Sequence, residues 1–449
     1  MVVIEPSAAV PVSDWPPGPP GDRGLEFAGD RLGFLERAAA YGDFVPFRVG
    51  ATQAVFLGHP SLVTEVLASP LARDFSKDYL SELIPPLVRR HLELRDADSW
   101  LPERRLAQPA FHHDRLVDYA SVMQEEAVLL SSSFASGSLI DAGAAMRRLT
   151  LRILCRTLFA VDLGVDTDRA TRMVDLLLDA IDARLDRAAG GGSLLPTSRD
   201  VSLAWTFLRL RALFARIVRA RRASAAGLDA APDLLSRLLG AKLDDFQVGK
   251  VVIPVFFAGH ETTALALAWA LYLLASRPDV VGALRSEISS VLGSRAPVEA
   301  DLARLPYVGA VFSETLRLYP PGWGFGRKAL RATSVGGYQI PAGTVVWMSP
   351  WVMHRDSRWF SDPLSFAPER WLAGLHRTLP RGAYIPFGLG PRRCLGSSFA
   401  TLEGTLALVE LVRRFDFSLP PTVSVLPKPS LTLRPLGLRL IAERRVGSE

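Results

Sequence analysis

Cysteine is nearly absent from this chain, which has two cysteines, Cys155 and Cys394, among 449 residues. So few cysteines, placed so far apart, exclude a disulfide-stabilised scaffold and favour a reducing compartment. Cys155 lies in a largely apolar stretch and is predicted to be a small buried hydrophobe. Cys394 lies in a loop rich in glycine and arginine, so it is the cysteine that the sequence marks out for chemistry.

A secretory signal and a membrane anchor are also missing from the sequence. The first 15 residues have neither a basic start nor an apolar core. The nearest approach to a membrane span, residues 251–275, is interrupted by His260 and Glu261, and ionisable groups are costly at membrane depth. We therefore expect a cytoplasmic protein without a membrane anchor, in which this segment is a core helix. A membrane-inserted transporter is the alternative.

Lysine is scarce as well, accounting for five of the 52 basic residues. The net charge of +6 would suit nucleic acid, but the arginines are dispersed and no recognition motif accompanies them. We therefore expect no nucleic-acid partner. A basic patch that attracts an acidic protein is the preferred interpretation.

The order of the local patterns predicts a mainly α fold with small β-sheets, an α+β class. Residues 1–21 form a proline-rich lead-in, and residues 22–449 are expected to form one domain. Helical periodicity covers 32–41 and nearly all of 62–275, with breaks at 190–192 and around 223–232. The triple glycine of the first break is a candidate lid over a ligand pocket. Strand patterns lie near 44–57, 335–349 and 422–441, and residues 338–347 are predicted to form a hairpin around Pro341 and Gly343.

The residues around Cys394 form the most specific pattern in the chain. They read Phe387-Gly388-Leu389-Gly390-Pro391-Arg392-Arg393-Cys394-Leu395-Gly396. The glycines let the backbone pass close to a flat cofactor, and the Arg392 guanidinium has the forked geometry that pairs with carboxylates. A helix is predicted to follow, so its N-terminal dipole would stabilise a Cys394 thiolate. A buried structural cysteine beside a basic loop is the alternative.

This spacing resembles the haem-thiolate loop of the cytochrome P450 monooxygenases. The resemblance implies one haem b whose iron is bound by Cys394, with Phe387, Gly388, Arg392 and Gly396 beside the haem. A cysteine thiolate on iron favours cleavage of the O–O bond. The resemblance also implies a soluble, bacterial-type enzyme that inserts one atom of O2 into a C–H bond or an alkene.

Polar residues interrupt the long apolar helix at Ala258-Gly259-His260-Glu261-Thr262-Thr263. Hydroxyls and a carboxylate are poor choices inside a core helix unless something uses them. A polar notch satisfied by helix packing is the alternative. The segment resembles the acid–alcohol pair of the same family, which implies that Glu261 and Thr262 relay protons and that Ala258 and Gly259 lie against the haem. The role of His260 stays open, with solvent or another polar side chain as its expected neighbour.

Two further motifs match the family's cationic contacts to the haem. Trp100-x-x-x-Arg104 resembles the helix whose two side chains contact the haem propionates, and Arg327 matches a third contact. Buried propionates need cationic partners, because an unpaired buried charge is very costly. Solvated surface charges are the alternative for each arginine.

The pair Glu314 and Arg317, three residues apart on one predicted helix face, is followed further along the chain by Arg370. By resemblance, these three residues form a buried network that supports the haem loop. They are expected to matter for haem incorporation and to have no direct part in turnover.

Separate proteins are expected to supply the electrons, because no dinucleotide-binding loop occurs in the chain. By resemblance, these are a ferredoxin or flavodoxin with its reductase. Arg105, Arg115 and Arg393 flank the haem motifs and are candidates for a basic face that attracts such an acidic partner. A scattered basic surface is the alternative. The protein is expected to be a monomer.

The substrate pocket is expected, by resemblance, to include Trp323, Phe325 and the turn near Leu431. Their apolar character favours a hydrophobic small molecule of secondary metabolism: a terpenoid, fatty acyl, polyketide or aromatic compound. One alternative is a haem-thiolate peroxygenase or isomerase that does not need the proton relay. Another is a haem protein that acts as a sensor without catalysis.

Overall fold

The structure is a computed structural model, which describes residues 11–77, 100–164, 166–190, 197–223, 233–241 and 243–445. The α-helices in these ranges are α1 (Gly24–Gly29), α2 (Arg31–Ala39), α3 (Pro60–Ala68), α4 (Leu101–Ala107), α5 (His113–Ser133), α6 (Ala142–Leu158), α7 (Asp166–Ala189), α8 (Ser198–Ala223), α9 (Leu234–Gly240), α10 (Asp245–Ala275), α11 (Pro278–Leu292), α12 (Pro306–Leu318), α13 (Pro350–Met353), α14 (Glu369–Leu372), α15 (Leu375–Thr378) and α16 (Ser397–Arg414).

Within the same described ranges, the strands are short and belong to four separate sheets. They are β1 (Phe44–Val49), β2 (Thr52–Leu57), β3 (Phe75–Ser76), β4 (Ser138–Asp141), β5 (Phe325–Ala329), β6 (Thr333–Val335), β7 (Tyr338–Ile340), β8 (Val345–Met348), β9 (Phe415–Ser418), β10 (Leu426–Pro429), β11 (Leu433–Leu436) and β12 (Arg439–Arg444). The largest sheet has the order β1-β2-β8-β5-β3, and a three-stranded sheet has the order β4-β12-β9. The mainly α fold with small β-sheets is therefore confirmed.

Helix α10 is the centre of the helical core. It begins at a capping box, in which the Asp244 carboxylate accepts from the backbone N–H of Gln247 and the Gln247 side chain accepts from that of Asp244. Every residue from 264 to 271 is at most 2% exposed. By length and composition α10 could cross a membrane, but 67% of its most apolar window is buried inside the protein. The segment is thus a core helix, as the ionisable residues in its sequence predicted.

The predicted hairpin at 44–57 is confirmed, whereas the hairpin at 338–347 is wrong. Strand β7 pairs with β6 across a turn at Gly336 and Gly337, both of which have positive φ, as a two-residue hairpin turn requires. Strand β8 instead joins the five-stranded sheet, parallel to β2 and antiparallel to β5. The apolar side chains of β8 are buried there, so tertiary packing decides the pairing against the nearer strand.

The five-stranded sheet also positions part of the site. Strand β5 carries Arg327 opposite Val346 of β8. On its other side β5 pairs with β3, where Ser76 lies opposite Lys328. Lys77, which directly follows β3, therefore lies beside Arg327 at the same edge of the sheet.

Candidate active site

The loop that carries Cys394 is folded back on itself. The backbone N–H of Cys394 donates to the carbonyl of Phe387, with an N···O distance of 2.8 Å. Gly390 has a φ of 73°, and a Cβ at this position would lie 1.8 Å from the backbone oxygen of Leu67. Only glycine can occupy this position. Helix α16 begins three residues after Cys394, at Ser397.

A cavity of about 410 Å³ separates this loop from helix α10. The sequence-predicted site residues that line it are Trp100, Arg104, Ala258, Gly259, Thr262, Phe325, Arg327, Phe387, Gly388, Arg392, Cys394 and Gly396. Cys394 is solvent-exposed on this cavity, unlike Cys155, which is buried. The structure thus brings together residues that are up to 296 positions apart in the sequence. Glu261, Trp323 and Leu431 are not among the residues that line the cavity.

Six cationic side chains line this cavity, and four of them, Arg104, Arg392, Arg327 and Lys77, are candidates to pair with carboxylates of a cofactor. The guanidinium groups of Arg104 and Arg392 lie 5.6 Å and 4.7 Å from the centre of the Trp100 ring, and Arg104 also donates to the carbonyl of Arg393. Arg327 is only 8% exposed. Lys77 completes the set. The sequence analysis missed this lysine, because no local motif marks it and only the pairing of β3 with β5 brings it here.

These residues fit a haem. A flat cofactor that carries two propionates needs a thiolate on one side of the ring and several cations at one edge. The cavity supplies Cys394, the four cations, and glycine backbone at Gly388 and Gly396. The chemistry of this donor set therefore agrees with an iron porphyrin bound through Cys394.

The α10 wall of the cavity combines a hydroxyl with a glycine. Thr262 donates through Oγ1 to the carbonyl of Ala258, at 2.8 Å, a local bond that competes with the helix ladder. Helix packing is a second reason for a glycine at position 259, in addition to the predicted room for a ligand. A Cβ on Gly259 would lie 2.7 Å from Cδ1 of Leu154 in α6, so Leu154, which also lines the cavity, would have to shift to admit a side chain here.

Glu261 is turned away from the cavity and forms an ion pair. It is buried, and its Oε1 lies 3.0 Å from Nε of Arg434 in β11. Arg434 also pairs with Asp179 of α7, at 2.7 Å. No pattern in the sequence points to Arg434 as this partner, because it lies 173 residues away from Glu261. In this arrangement Thr262 faces the cavity, whereas Glu261 is buried and does not line it.

His260 does not face solvent, which corrects the expectation for this residue. Its side chain is fully buried, and both ring nitrogens lack a hydrogen-bond partner in the described part of the chain. Burial lowers the pKa of His260 to about 4, and the nearby Asp175 carboxylate only partly opposes this. His260 is therefore neutral at physiological pH. Its backbone carbonyl accepts from Thr150 of α6.

Glu314, Arg317 and Arg370 form one buried network. The Arg317 guanidinium donates twice to the Glu314 carboxylate, at 2.7 and 2.8 Å, and Arg370 adds a third bond at 3.0 Å. Neither Glu314 nor Arg317 is exposed at all. Arg317 also donates to the backbone carbonyls of His354, Pro363 and Ser365. The network thus holds in place residues 354–365, which precede the Cys394 loop in the sequence.

Two of the three substrate-pocket candidates lie elsewhere. Phe325 lines the cavity, but Trp323 is buried in a separate aromatic cluster and donates through Nε1 to the carbonyl of Ser430. Leu431 is 38% exposed on the protein surface. A buried indole N–H needs an acceptor, and the Ser430 carbonyl supplies it for Trp323. Of the predicted lid, Gly190 is a turn residue that directly follows α7. Residues 191–196 lie outside the described residues.

Glu403 of α16 is a buried carboxyl group that the sequence analysis missed. It is 0% exposed. Burial raises the pKa of Glu403 well above its usual range, and the adjacent Thr263 hydroxyl only partly offsets this. The raised pKa favours the protonated form of Glu403, and the carboxyl lies next to Thr263, which lines the cavity. The available signal was a glutamate in a largely apolar helix, which also contains Glu410.

The fold and the cysteine-bearing cavity define a haem-thiolate protein, and the chain belongs to the cytochrome P450 family. The cytochrome P450 family model matches residues 32–442. Cyclooctatin synthase of Streptomyces melanosporofaciens is 35% identical over 422 residues, which cover 92% of this chain and 91% of that protein. Cyclooctat-9-en-7-ol 5-monooxygenase of the same organism is 34% identical over 86% of this chain and 84% of its own length. Pentalenene oxygenase of Streptomyces avermitilis is 30% identical, with 92% and 93% covered. The protein is a P450 monooxygenase, an oxidoreductase with a haem-thiolate iron cofactor.

Proposed function

We propose that this protein hydroxylates or epoxidises a terpenoid in bacterial secondary metabolism. The observation that carries the proposal is the cavity itself. Cys394 lies on one wall and Thr262 of α10 on another, and the walls between them are largely apolar. Three relatives are named for terpenoid substrates or products, which favours a terpenoid over a fatty acyl, polyketide or aromatic compound.

The cofactor in this proposal is haem b. Cys394 would bind its iron, and Arg104, Arg327, Arg392 and Lys77, which line the same cavity, would pair with its propionates. When bound, the haem supplies the activation of O2, which a thiolate ligand promotes. The apolar residues of α10 and the ring of Phe325 exclude water from the substrate side of the cavity.

Thr262 and Glu261 move protons in this proposal. Thr262 lines the cavity, and its hydroxyl, which donates to the Ala258 carbonyl, would pass a proton to the haem side of the cavity. Glu261 would resupply the proton to Thr262 Oγ1. To do so the carboxylate must leave Arg434 and take up a proton from solvent before it delivers one. The support network of Glu314, Arg317 and Arg370 acts on haem incorporation.

A separate ferredoxin or flavodoxin, with its reductase, supplies the electrons. Arg105 and Arg393 are exposed next to the cysteine loop and the Trp100 helix, and an acidic protein would be attracted to this face. Arg115 forms an ion pair with Asp118 at 3.1 Å, so it contributes less to the attraction of an acidic partner. We propose a cytoplasmic monomer.

Replacement of Thr262 by alanine tests the monooxygenase mechanism. The variant should consume reductant and O2 at a rate near that of the wild type but release hydrogen peroxide in place of product, because the cavity loses its hydroxyl. Thr157→Ala is the matched control, since Thr157 makes the same hydroxyl-to-carbonyl bond within α6 and does not line the cavity. Unchanged coupling in Thr262→Ala would favour the peroxygenase or isomerase alternative.

A further inference from the structure

The cavity wall formed by α10 is apolar beyond Thr262 until it reaches Lys250. The residues at four-residue spacing on this wall are Lys250, Pro254, Ala258 and Thr262, because positions i and i+4 share one face of a helix. Lys250 precedes Thr262 by twelve residues, which is about 18 Å along the helix axis. A ligand that extends along this wall therefore passes apolar side chains and then meets an ammonium group.

Lys250 lies close to Glu103 of α4 without a direct hydrogen bond. Its Nζ is 4.0 Å from Oε1 of Glu103, which is longer than a hydrogen bond. The same ammonium lies 5.1 Å from the centre of the Phe246 ring. Both Lys250 and Glu103 line the cavity. An ammonium carries three N–H donors, so Lys250 retains donor capacity on the cavity wall.

A hydroxyl group has the size and the chemistry to bridge this pair. A hydroxyl oxygen can lie about 2.8 Å from both Nζ and Oε1, where it accepts from the ammonium and donates to the carboxylate. A carboxylate ligand fits less well, because Glu103 already offsets the charge of Lys250 and would repel a second anion. A hydrocarbon would leave both charged groups without this bridge.

We propose that Lys250 and Glu103 form a subsite for a hydroxyl group of the substrate, at the far end of the cavity from the reacting carbon. This inference rests on the proposed terpenoid monooxygenase function and narrows its substrate to a terpene alcohol. Lys250 and Thr262 lie about 18 Å apart along α10, and this distance limits how far the hydroxyl lies from the reacting end of the substrate. The reaction that supplies this substrate must then leave a hydroxyl group on the terpene skeleton. A hydroxylation does so, and so does a cyclisation that ends with the capture of water.

Ligand titrations of the haem-loaded, full-length protein test this subsite. The two probes are a terpene alcohol and the hydrocarbon of the same skeleton without the hydroxyl, and the readout is the spin-state shift of the haem absorbance. The wild type should bind the alcohol about tenfold more tightly, as expected for a hydrogen bond to a charged group. Lys250→Met should lose this preference while it binds the hydrocarbon as before. Lys428→Met, at a lysine outside the cavity, should keep the preference.

Equal affinities of the wild type for the two probes would overturn the proposal, and this comparison does not depend on any variant. A Lys250→Met protein that binds both probes more weakly by the same factor would also overturn it, since Lys250 would then only shape the cavity. Glu103→Gln provides a second variant, in which the loss should again be confined to the alcohol. A protein with a normal haem-thiolate spectrum that binds neither probe would refute the terpenoid substrate itself, a result distinct from the loss of the alcohol preference.

Discussion

The buried Glu314 network provides the strongest quantitative prediction. Glu314→Gln keeps the size of the side chain but removes the charge that three hydrogen bonds from Arg317 and Arg370 now neutralise. Arg317 is entirely buried, so its cation would remain in the interior without a counter-charge. Removal of one partner from a buried ion pair costs about 3–5 kcal/mol. The variant should therefore unfold at a markedly lower denaturant concentration than the wild type.

Urea unfolding followed by tryptophan fluorescence measures this cost, since Trp371 itself donates to Glu314. With a slope of about 3 kcal/mol per molar urea, the midpoint should fall by at least about 1 M. Haem content per protein should fall as well. Glu26→Gln is the matched control, because the pair of Glu26 with Arg37 is exposed and such pairs contribute less than about 1 kcal/mol.

A Glu314→Gln midpoint that falls no further than that of Glu26→Gln would refute the reasoning. Glu314 would then be an ordinary ion pair, and its expected role in haem incorporation would lose its physical basis.

Three further predictions concern one glycine and two buried titratable groups. Gly390→Ala should abolish haem binding, because its Cβ would meet backbone at 1.8 Å, whereas Gly374→Ala, with a similar φ of 79° and open space around it, should still bind haem. His260 should make the folded state less stable as pH falls from 6.5 toward 4, because the unfolded state binds a proton that the folded state does not. This effect lowers the free energy of unfolding by about 2 kcal/mol at pH 5. His260→Phe should not show this loss when its thermal unfolding is compared between pH 7.5 and 5. The raised pKa of Glu403 acts in the opposite direction, so stability is lost as pH rises above about 4.3. The melting temperature of Glu403→Gln should exceed that of the wild type by a margin that grows from pH 5 to pH 7, and a constant margin would contradict this.

The parts of the site that the sequence predicted are those in which local chemistry restricts the residue type. The Cys394 loop needs glycine where backbones touch, as Gly390 against Leu67 shows. Glu314 and Arg317 are three residues apart on one helix, so their contact follows from helix geometry.

The parts that the sequence did not predict depend on contacts between distant segments. The partner of Glu261 is Arg434, in a strand 173 residues later, and Lys77 reaches the cavity only through the pairing of β3 with β5. Strand β8 joins the central sheet and not its neighbour β7 for the same reason. His260 was expected to face solvent or another polar side chain, but nothing in its own sequence shows that packing would bury its ring without a hydrogen-bond partner in the described residues.

The central claim, that Cys394 binds a haem iron, is tested most directly by one spectrum. The absorbance difference between dithionite-reduced protein with and without carbon monoxide should show the red-shifted Soret band that is diagnostic of the family. Cys394→Ser should lose this band, whereas Cys155→Ser, at the buried cysteine outside the cavity, should retain it. A wild-type protein without haem, or with a Soret band at the position typical of histidine ligation, would contradict the account and the roles assigned to the surrounding residues.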